Sequence, residues 1–161
     1  MSDRGRGFAW IVDLMILTGI LATSWPVLKA TTAKAGLEGE IRIVSKEARE
    51  LYEAFERFYG FYRAYPNAYS EAAFAEDSLD PLSSRGYYRG SLPAQLRGQR
   101  IDAYDSPDDR GLNQEFWVEM TLERDPSVRF LVARSDDAPL ASGEWVEGAF
   151  VFRDGELEPL E

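Results

Sequence analysis

The sequence of 161 residues contains no cysteine and no histidine. The absence of cysteine excludes a disulfide framework and a thiol nucleophile, and the absence of histidine excludes a Ser-His-Asp triad and a haem-binding histidine. No zinc site with cysteine or histidine ligands can form either. Any catalysis would therefore have to use carboxylates, lysine, tyrosine or serine.

Positive charge is scarce towards the C-terminus. The chain has 18 lysines and arginines against 28 aspartates and glutamates, which gives a net charge of −10. Residues 66–161 hold nine arginines, no lysine and twenty acidic residues. Because the phosphates of nucleic acids attract basic protein surfaces, no nucleic-acid binding is predicted for this part of the chain.

There is only one long apolar run, residues 8–28, and Asp13 is its only charged residue. About 20 helical residues cross the hydrocarbon core of a bilayer. Arg4 and Arg6 precede the run, and the positive-inside rule places such residues in the cytoplasm. The sequence therefore predicts one membrane span, with the rest of the chain on the far side of the membrane.

Three interpretations of the apolar run compete. It is a secretory signal cleaved at the small residues 22–24 or 32–33, or an uncleaved signal anchor, or the first half of a longer helix. Asp13 favours a role beyond anchoring, because an ionised carboxylate in hydrocarbon is costly unless it is paired.

The helical pattern continues well beyond the apolar run. Apolar residues recur at alternating steps of four and three residues, as on one face of a helix: Val44, Ala48, Leu51, Phe55, Phe58 and Tyr62. The opposite face is charged and includes the i,i+4 pair of Glu53 and Arg57. Pro66 predicts that the helix ends near Tyr65. One helix over residues 8–65 would be about 87 Å long.

Three short motifs accompany this layout. Residues 6–8 (Arg-Gly-Phe) look like a prepilin peptidase site, and residues 13–22 look like the acidic and apolar block of a pilin helix. Residues 59–66 resemble the junction between helix and loop in many pseudopilins. Over residues 4–66 the chain thus resembles the type IV pilin and type II secretion pseudopilin family.

The resemblance implies how the chain is processed and organised. Prepilin peptidase would cleave after Gly7 and leave Phe8 as a new, methylated N-terminus. In the family, an acid that is normally a glutamate at the fifth mature position pairs with the N-terminal amine of a neighbouring subunit; here Asp13 is at the sixth. The implied parts are a leader (1–7), a membrane-spanning assembly half of the helix (8–28), an amphipathic half (29–65) and a globular head with a variable loop and a sheet (66–161).

The resemblance also implies a function and partners. The mature chain would be a subunit of a type IV pilus or a type II secretion pseudopilus, and not an enzyme. It would stand in the bacterial inner membrane, with its N-terminus in the cytoplasm and its head in the periplasm, until assembly. Its partners would be other pilin or pseudopilin subunits, prepilin peptidase, the inner-membrane assembly platform and the lipid bilayer.

The C-terminal part has the patterns of an antiparallel sheet. Residues 66–113 contain four prolines and four glycines and predict an irregular connection. Strands with alternating apolar residues are predicted at 114–123, 128–134, 143–153 and 156–159. Asp154-Gly155 predicts a tight hairpin. Val146, Phe150 and Phe152 are expected to face the helical stripe, which gives an α+β fold: a long N-terminal helix packed on a small antiparallel β-sheet.

Acidic residues offer two further candidate sites. Calcium prefers oxygen ligands, and four aspartates cluster in one predicted loop: Asp102, Asp105, Asp108 and Asp109. Their spacing does not match an EF-hand, Asp136 and Asp137 are an equal source of ligands, and a solvated turn is the simpler interpretation. Three glutamates share the polar face of one strand, where acid–base chemistry competes with a solvated face: Glu115, Glu119 and Glu123. No other cofactor is predicted.

Aromatic and basic residues are close together at one further place. Tyr87 and Tyr88 lie between Arg85 and Arg89, and they either bind a partner or a glycan or anchor a loop on the sheet. A second function from another class therefore stays open. In it, the chain is a single-pass, membrane-anchored periplasmic binding domain that does not polymerise, with this loop or the aspartate-rich loop as its site.

Overall fold

A computed structural model describes residues 4–66, 82–90, 92–96, 103–105 and 114–161. Before Thr31, and in residues 103–105, it describes the backbone alone. The elements in chain order are α1 (Arg4–Tyr62), β1 (Ala103–Asp105), β2 (Phe116–Thr121), β3 (Arg129–Ser135), β4 (Val146–Arg153) and β5 (Glu156–Pro159). The strands form one antiparallel sheet in the order β1-β2-β3-β4-β5. The predicted α+β fold, with a helix on a small antiparallel sheet, is confirmed.

The chain divides into two compact units, Met1–Gly39 and Glu40–Glu161. In the first unit, none of the side chains from Thr31 to Gly39 is buried. The predicted span over residues 8–28 lies outside the side chains that the structure describes. Among the residues whose side chains the structure describes, no helical stretch is long and apolar enough to cross a membrane.

Helix α1 ends at Tyr62, three residues before the predicted end. Arg63 adopts a left-handed conformation (φ 60°), and its N–H donates to the Tyr59 carbonyl over 2.7 Å. A left-handed residue commonly ends a helix, because it turns the backbone out of the helical path. The helix therefore ends because Arg63 is left-handed, and not because Pro66 follows.

The predicted apolar stripe of α1 forms the core of the second unit. All of its members up to Phe58 are buried, and Phe55 stacks on Phe116 of β2 with 4.1 Å between ring centroids. Tyr62 departs from the prediction, since it is 41% exposed. It is the last helical residue, and its ring contacts Phe58 and Arg85.

The face of the sheet that carries Phe116 packs against α1. The strand register places seven core residues on it: Phe116, Val118, Met120, Phe130, Val132, Ala149 and Val151. The prediction that Val146, Phe150 and Phe152 face the helix is wrong. They alternate with Ala149 and Val151 and lie on the opposite face.

The opposite face has an apolar cluster of its own. Leu131 pairs with Phe150, and the β3–β4 connection covers this face with small buried residues, so that the cluster centres on Leu131, Ala133, Ala138 and Ala141. Strand β4 is apolar on both faces for this reason. Alternation alone could not decide which of its faces the helix covers.

Two connections complete the sheet. The β4–β5 hairpin turns through Asp154 (φ 54°) and Gly155 (φ 86°), and two left-handed residues in succession confirm the predicted tight turn. The expectation that residues 66–113 are irregular is wrong in part. Ala103–Asp105 forms β1 along β2, and Leu96 bridges Leu122.

Candidate functional site

The predicted processing and assembly residues lie in the first part of α1. The backbone is helical at Gly7, Phe8 and Asp13, but their side chains lie outside the described residues. The cleavage site and the role of the Asp13 carboxylate therefore stay predictions.

The predicted calcium ligands are only partly described. Asp102, Asp108 and Asp109 lie outside the described residues, and Asp105 ends β1 opposite Trp117. Within the part of the chain that the structure describes, no group of three or more candidate metal ligands comes together. Asp137, an alternative ligand, is exposed and donates its N–H to Ser135 Oγ over 3.0 Å.

Two of the three glutamates predicted on one strand face have structural partners. Glu119 accepts a hydrogen bond from Arg129 over 3.0 Å, and Glu115 accepts one from Ser135 Oγ over 2.9 Å. Glu123 follows the strand, and its N–H donates to the Gln95 carbonyl over 2.7 Å. Residues four apart on a strand are about 13 Å apart, too far for two carboxylates to share one proton or one reacting atom.

A polar cluster that the sequence did not reveal connects α1 to β3 and β4. The hydroxyl of Tyr65, which is 2% exposed, donates to Glu56 Oε1 over 2.5 Å and accepts a hydrogen bond from Arg134 over 3.3 Å. Arg134 also lies 3.5 Å from Glu56 and 3.9 Å from Glu147. Tyr52 donates to Glu147 over 3.4 Å. We call these five residues the tyrosine–arginine cluster.

Burial and neighbouring charges shift the proton affinities in this cluster. Burial, with the hydrogen bond to Glu56, raises the pKa of Tyr65 well above its ordinary value. Burial, with the nearby charge of Glu56, raises the pKa of Tyr52 to about 12. The hydrogen bond to Tyr65 raises the pKa of Arg134, which stays charged. Tyrosines are neutral at neutral pH even without such shifts, so the shifts matter only in alkaline solution. The contacts of Glu56 with Arg134 and of Tyr52 with Glu147 join the helix to the sheet.

Residues 82–90, the tyrosine loop, are tied to α1 by two side chains. Arg57 donates to the Tyr87 carbonyl over 2.9 Å and pairs with Glu53 at 3.3 Å. The hydroxyl of Tyr88 donates to Glu47 over 2.8 Å, and Tyr88 is only 3% exposed. Tyr88 therefore anchors the loop, but the hydrogen bond ties it to α1, whereas the sequence analysis expected an anchor on the sheet.

Aromatic rings surround the other side of the tyrosine loop. Tyr87 meets Phe58 edge to face with 5.4 Å between centroids, and Arg85 lies 4.8 Å above the Tyr62 ring. Phe61 is 73% exposed and meets Tyr62 edge to face. This part of the surface is aromatic and basic, although the chain as a whole is acidic.

A cleft of about 460 Å³ opens between α1 and the tyrosine loop. Its walls are mainly polar and aromatic and include Glu50, Glu53, Arg57, Tyr87, Tyr88 and Arg89. We call it the loop cleft. The sequence pointed to Tyr87 and Arg89, but it gave no sign that Glu50 and Glu53 would lie opposite them.

Replacing Gly90 by alanine tests how closely the loop fits α1. A Cβ at residue 90 would lie 2.6 Å from Glu47 Oε2 and 2.7 Å from the Tyr88 hydroxyl, so it would break their hydrogen bond. Loss of a hydrogen bond to a charged group lowers the free energy of unfolding by about 1.5–3 kcal/mol, which urea denaturation of the full chain measures. Gly60→Ala is the matched control: nothing lies within 4 Å of a Cβ there, and alanine favours the helix, so stability should rise. Equal effects of the two substitutions would contradict this account of the contact.

The contacts of the tyrosine–arginine cluster join the helix to the sheet. The N-terminal helix and the loop cleft are the two features on which a functional proposal can rest. The chain matches no family model, no curated protein and no solved structure.

Proposed function

We propose that this chain is a pilin-like or pseudopilin subunit that is cleaved after Gly7 and assembles through its N-terminal helix into a type IV pilus or a type II secretion pseudopilus. The observation that supports this proposal is the continuity of α1 from Arg4 to Tyr62. Signal peptidase cleavage at residues 22–24 or 32–33 would divide this helix. Continuity favours an N-terminal segment that is kept and used.

The burial pattern of α1 supports a division of labour along the helix. The apolar stripe from Val44 to Phe58 packs on the sheet, so it is already buried within the subunit. No side chain from Thr31 to Gly39 is buried. In the proposed fibre, residues 8–28 leave the bilayer and pack against the same helix of other subunits, which replaces one apolar environment with another.

Asp13 has a defined role in this proposal. Its carboxylate pairs with the free amine of Phe8 on a neighbouring subunit, so that each buried charge neutralises the other and fixes the stagger of the helices. The chain acts as substrate for prepilin peptidase and as cargo for the inner-membrane assembly platform. It performs no chemistry itself.

Expression in cells with a prepilin peptidase and an assembly platform tests the proposal. We expect the mass of the membrane-bound chain to correspond to a start at Phe8. Asp13→Asn should leave cleavage intact but lower the amount of sheared fibre at least about tenfold, because a buried amine would then lack its counter-charge.

Asp13→Glu is the matched control, since it keeps the charge, and it should retain most of the fibre. A chain that still starts at Met1 or Ser2 would favour the non-polymerising anchored domain. Normal assembly of Asp13→Asn would contradict the charge pair, but it would not contradict the proposal that the chain is a pilin-like subunit.

A further inference from the structure

The loop cleft lies outside residues 8–28, the segment through which the proposed assembly takes place, and its size is that of a ligand site. Its volume of about 460 Å³ is within the range of roughly 300–1,000 Å³ that is typical of small-molecule pockets. Charged residues of both signs and two tyrosines are among the residues that line it.

Among the described residues that line the cleft, the numbers of acidic and basic side chains are equal. Glu50 and Glu53 oppose Arg57 and Arg89, so neither a strongly anionic nor a strongly cationic ligand gains a large net attraction. Carboxylates accept hydrogen bonds and guanidinium groups donate them. A ligand whose groups both donate and accept, such as a polyol, is the chemical match for such walls.

The acidic groups remain within reach of a ligand. The side chain of Glu53 is 67% exposed although it pairs with Arg57, and that of Glu50 is 42% exposed although it pairs with Lys46. An ionised carboxylate offers about four acceptor positions, so one ion pair leaves capacity for ligand hydroxyls.

Tyr87 is among the residues that line the cleft, and two contacts hold it in place. Its carbonyl accepts the hydrogen bond from Arg57, and its ring is braced by Phe58. The face of an aromatic ring is slightly negative, and it attracts the slightly positive C–H groups on the face of a sugar ring. Because Arg57 and Tyr88 already fix the loop on α1, little entropy is lost when a ligand binds.

We propose that the loop cleft is a binding site for a neutral saccharide, with Tyr87 in contact with a sugar ring and Glu53 and Arg89 bonded to its hydroxyls. The described residues that line the site lie on α1 and in the tyrosine loop. The site is independent of cleavage and assembly, so it stands whether or not the chain forms a fibre.

Calorimetric titration of the full chain tests this site, in a detergent without a sugar headgroup. The probes are maltohexaose, cellohexaose and hexa-N-acetylchitohexaose, all neutral, with polygalacturonate as the anionic comparison. We expect at least one neutral hexaose to bind. Tyr87→Ala should weaken it about tenfold and Arg89→Ala severalfold, since each substitution removes one contact.

Two control variants separate binding from folding. Tyr87→Phe keeps the ring and should retain most of the affinity, whereas Trp145→Ala removes an exposed aromatic residue outside the cleft and should change nothing. The proposal is overturned if no neutral hexaose binds with a dissociation constant of about 10 mM or lower. It is also overturned if only polygalacturonate binds, or if Tyr87→Ala and Arg89→Ala bind as the parent does.

Discussion

Phe55→Ala is expected to lower the free energy of unfolding of the second unit by about 3–5 kcal/mol, the cost of truncating a buried phenylalanine. Phe55 is fully buried at the centre of the apolar stripe. Its ring stacks on Phe116 at 4.1 Å and meets Tyr65 at 6.4 Å. An alanine here would leave a cavity between helix and sheet, at the contact that joins the two layers.

The same helix provides a matched control. Phe61 is 73% exposed, so Phe61→Ala should change stability by no more than about 0.5 kcal/mol. Urea denaturation of the full chain in detergent, followed by circular dichroism, measures both variants. Similar small losses in the two would mean that α1 does not pack on the sheet through Phe55.

The helical stripe was predictable because its members from Val44 to Phe58 all lie on one surface that is buried. Alternating steps of four and three residues arise from the helical period itself, whatever the partner is. The Asp154-Gly155 turn was predictable for a similar reason, because few residue pairs adopt two left-handed conformations in succession. In both cases a local rule was enough.

The sequence could not predict which face of β4 packs against α1, because no local rule distinguishes two apolar faces. Phe150 and Val151 are both suited to a core, and the sheet has apolar residues to cover on each side. Strand β1 escaped prediction because three residues are too few to show alternation. Its pairing with β2 depends on contacts between distant parts of the chain.

The candidate sites also divide into residues that the sequence indicated and residues that only the folded chain brings together. Tyr87 and Arg89 were noticeable in the sequence because they are close together, and the structure places them on one wall of the loop cleft. Glu50 and Glu53 could only be read as part of a charged helix face. The tyrosine–arginine cluster was not visible at all, since Arg134 is 69 residues away from Tyr65.

Tyr65→Phe is expected to lower the free energy of unfolding at pH 7 by about 1.5–3 kcal/mol, because Glu56 loses a hydrogen bond and Arg134 loses an acceptor. Tyr52→Phe removes a longer hydrogen bond, 3.4 Å to Glu147, and should cost less than about 1 kcal/mol. Urea denaturation of the full chain measures both variants. Equal losses would contradict the central place of Tyr65 in the cluster.

The pH dependence gives a second, independent signature. In the unfolded chain a tyrosine loses its proton near pH 10, whereas the pKa of Tyr65 is raised in the folded chain and that of Tyr52 is raised to about 12. Below pH 10 both states keep these protons, and the two tyrosines add no pH dependence. Above pH 10 the unfolded state binds fewer protons, so the free energy of unfolding falls, by up to about 1.4 kcal/mol per pH unit for each tyrosine.

Each of the two tyrosine variants should therefore weaken this alkaline fall, and both should do so by a similar amount from about pH 10 to about pH 11. Tyr52→Phe removes its share between pH 10 and about 12. Tyr65→Phe removes a share that begins at the same pH and extends further, because the folded pKa of Tyr65 is raised more strongly by burial and by Glu56. Urea denaturation at half-unit intervals from pH 8 to about pH 11 measures the slopes. If Tyr65→Phe falls as steeply as the parent does, the Tyr65 hydroxyl is not buried against Glu56.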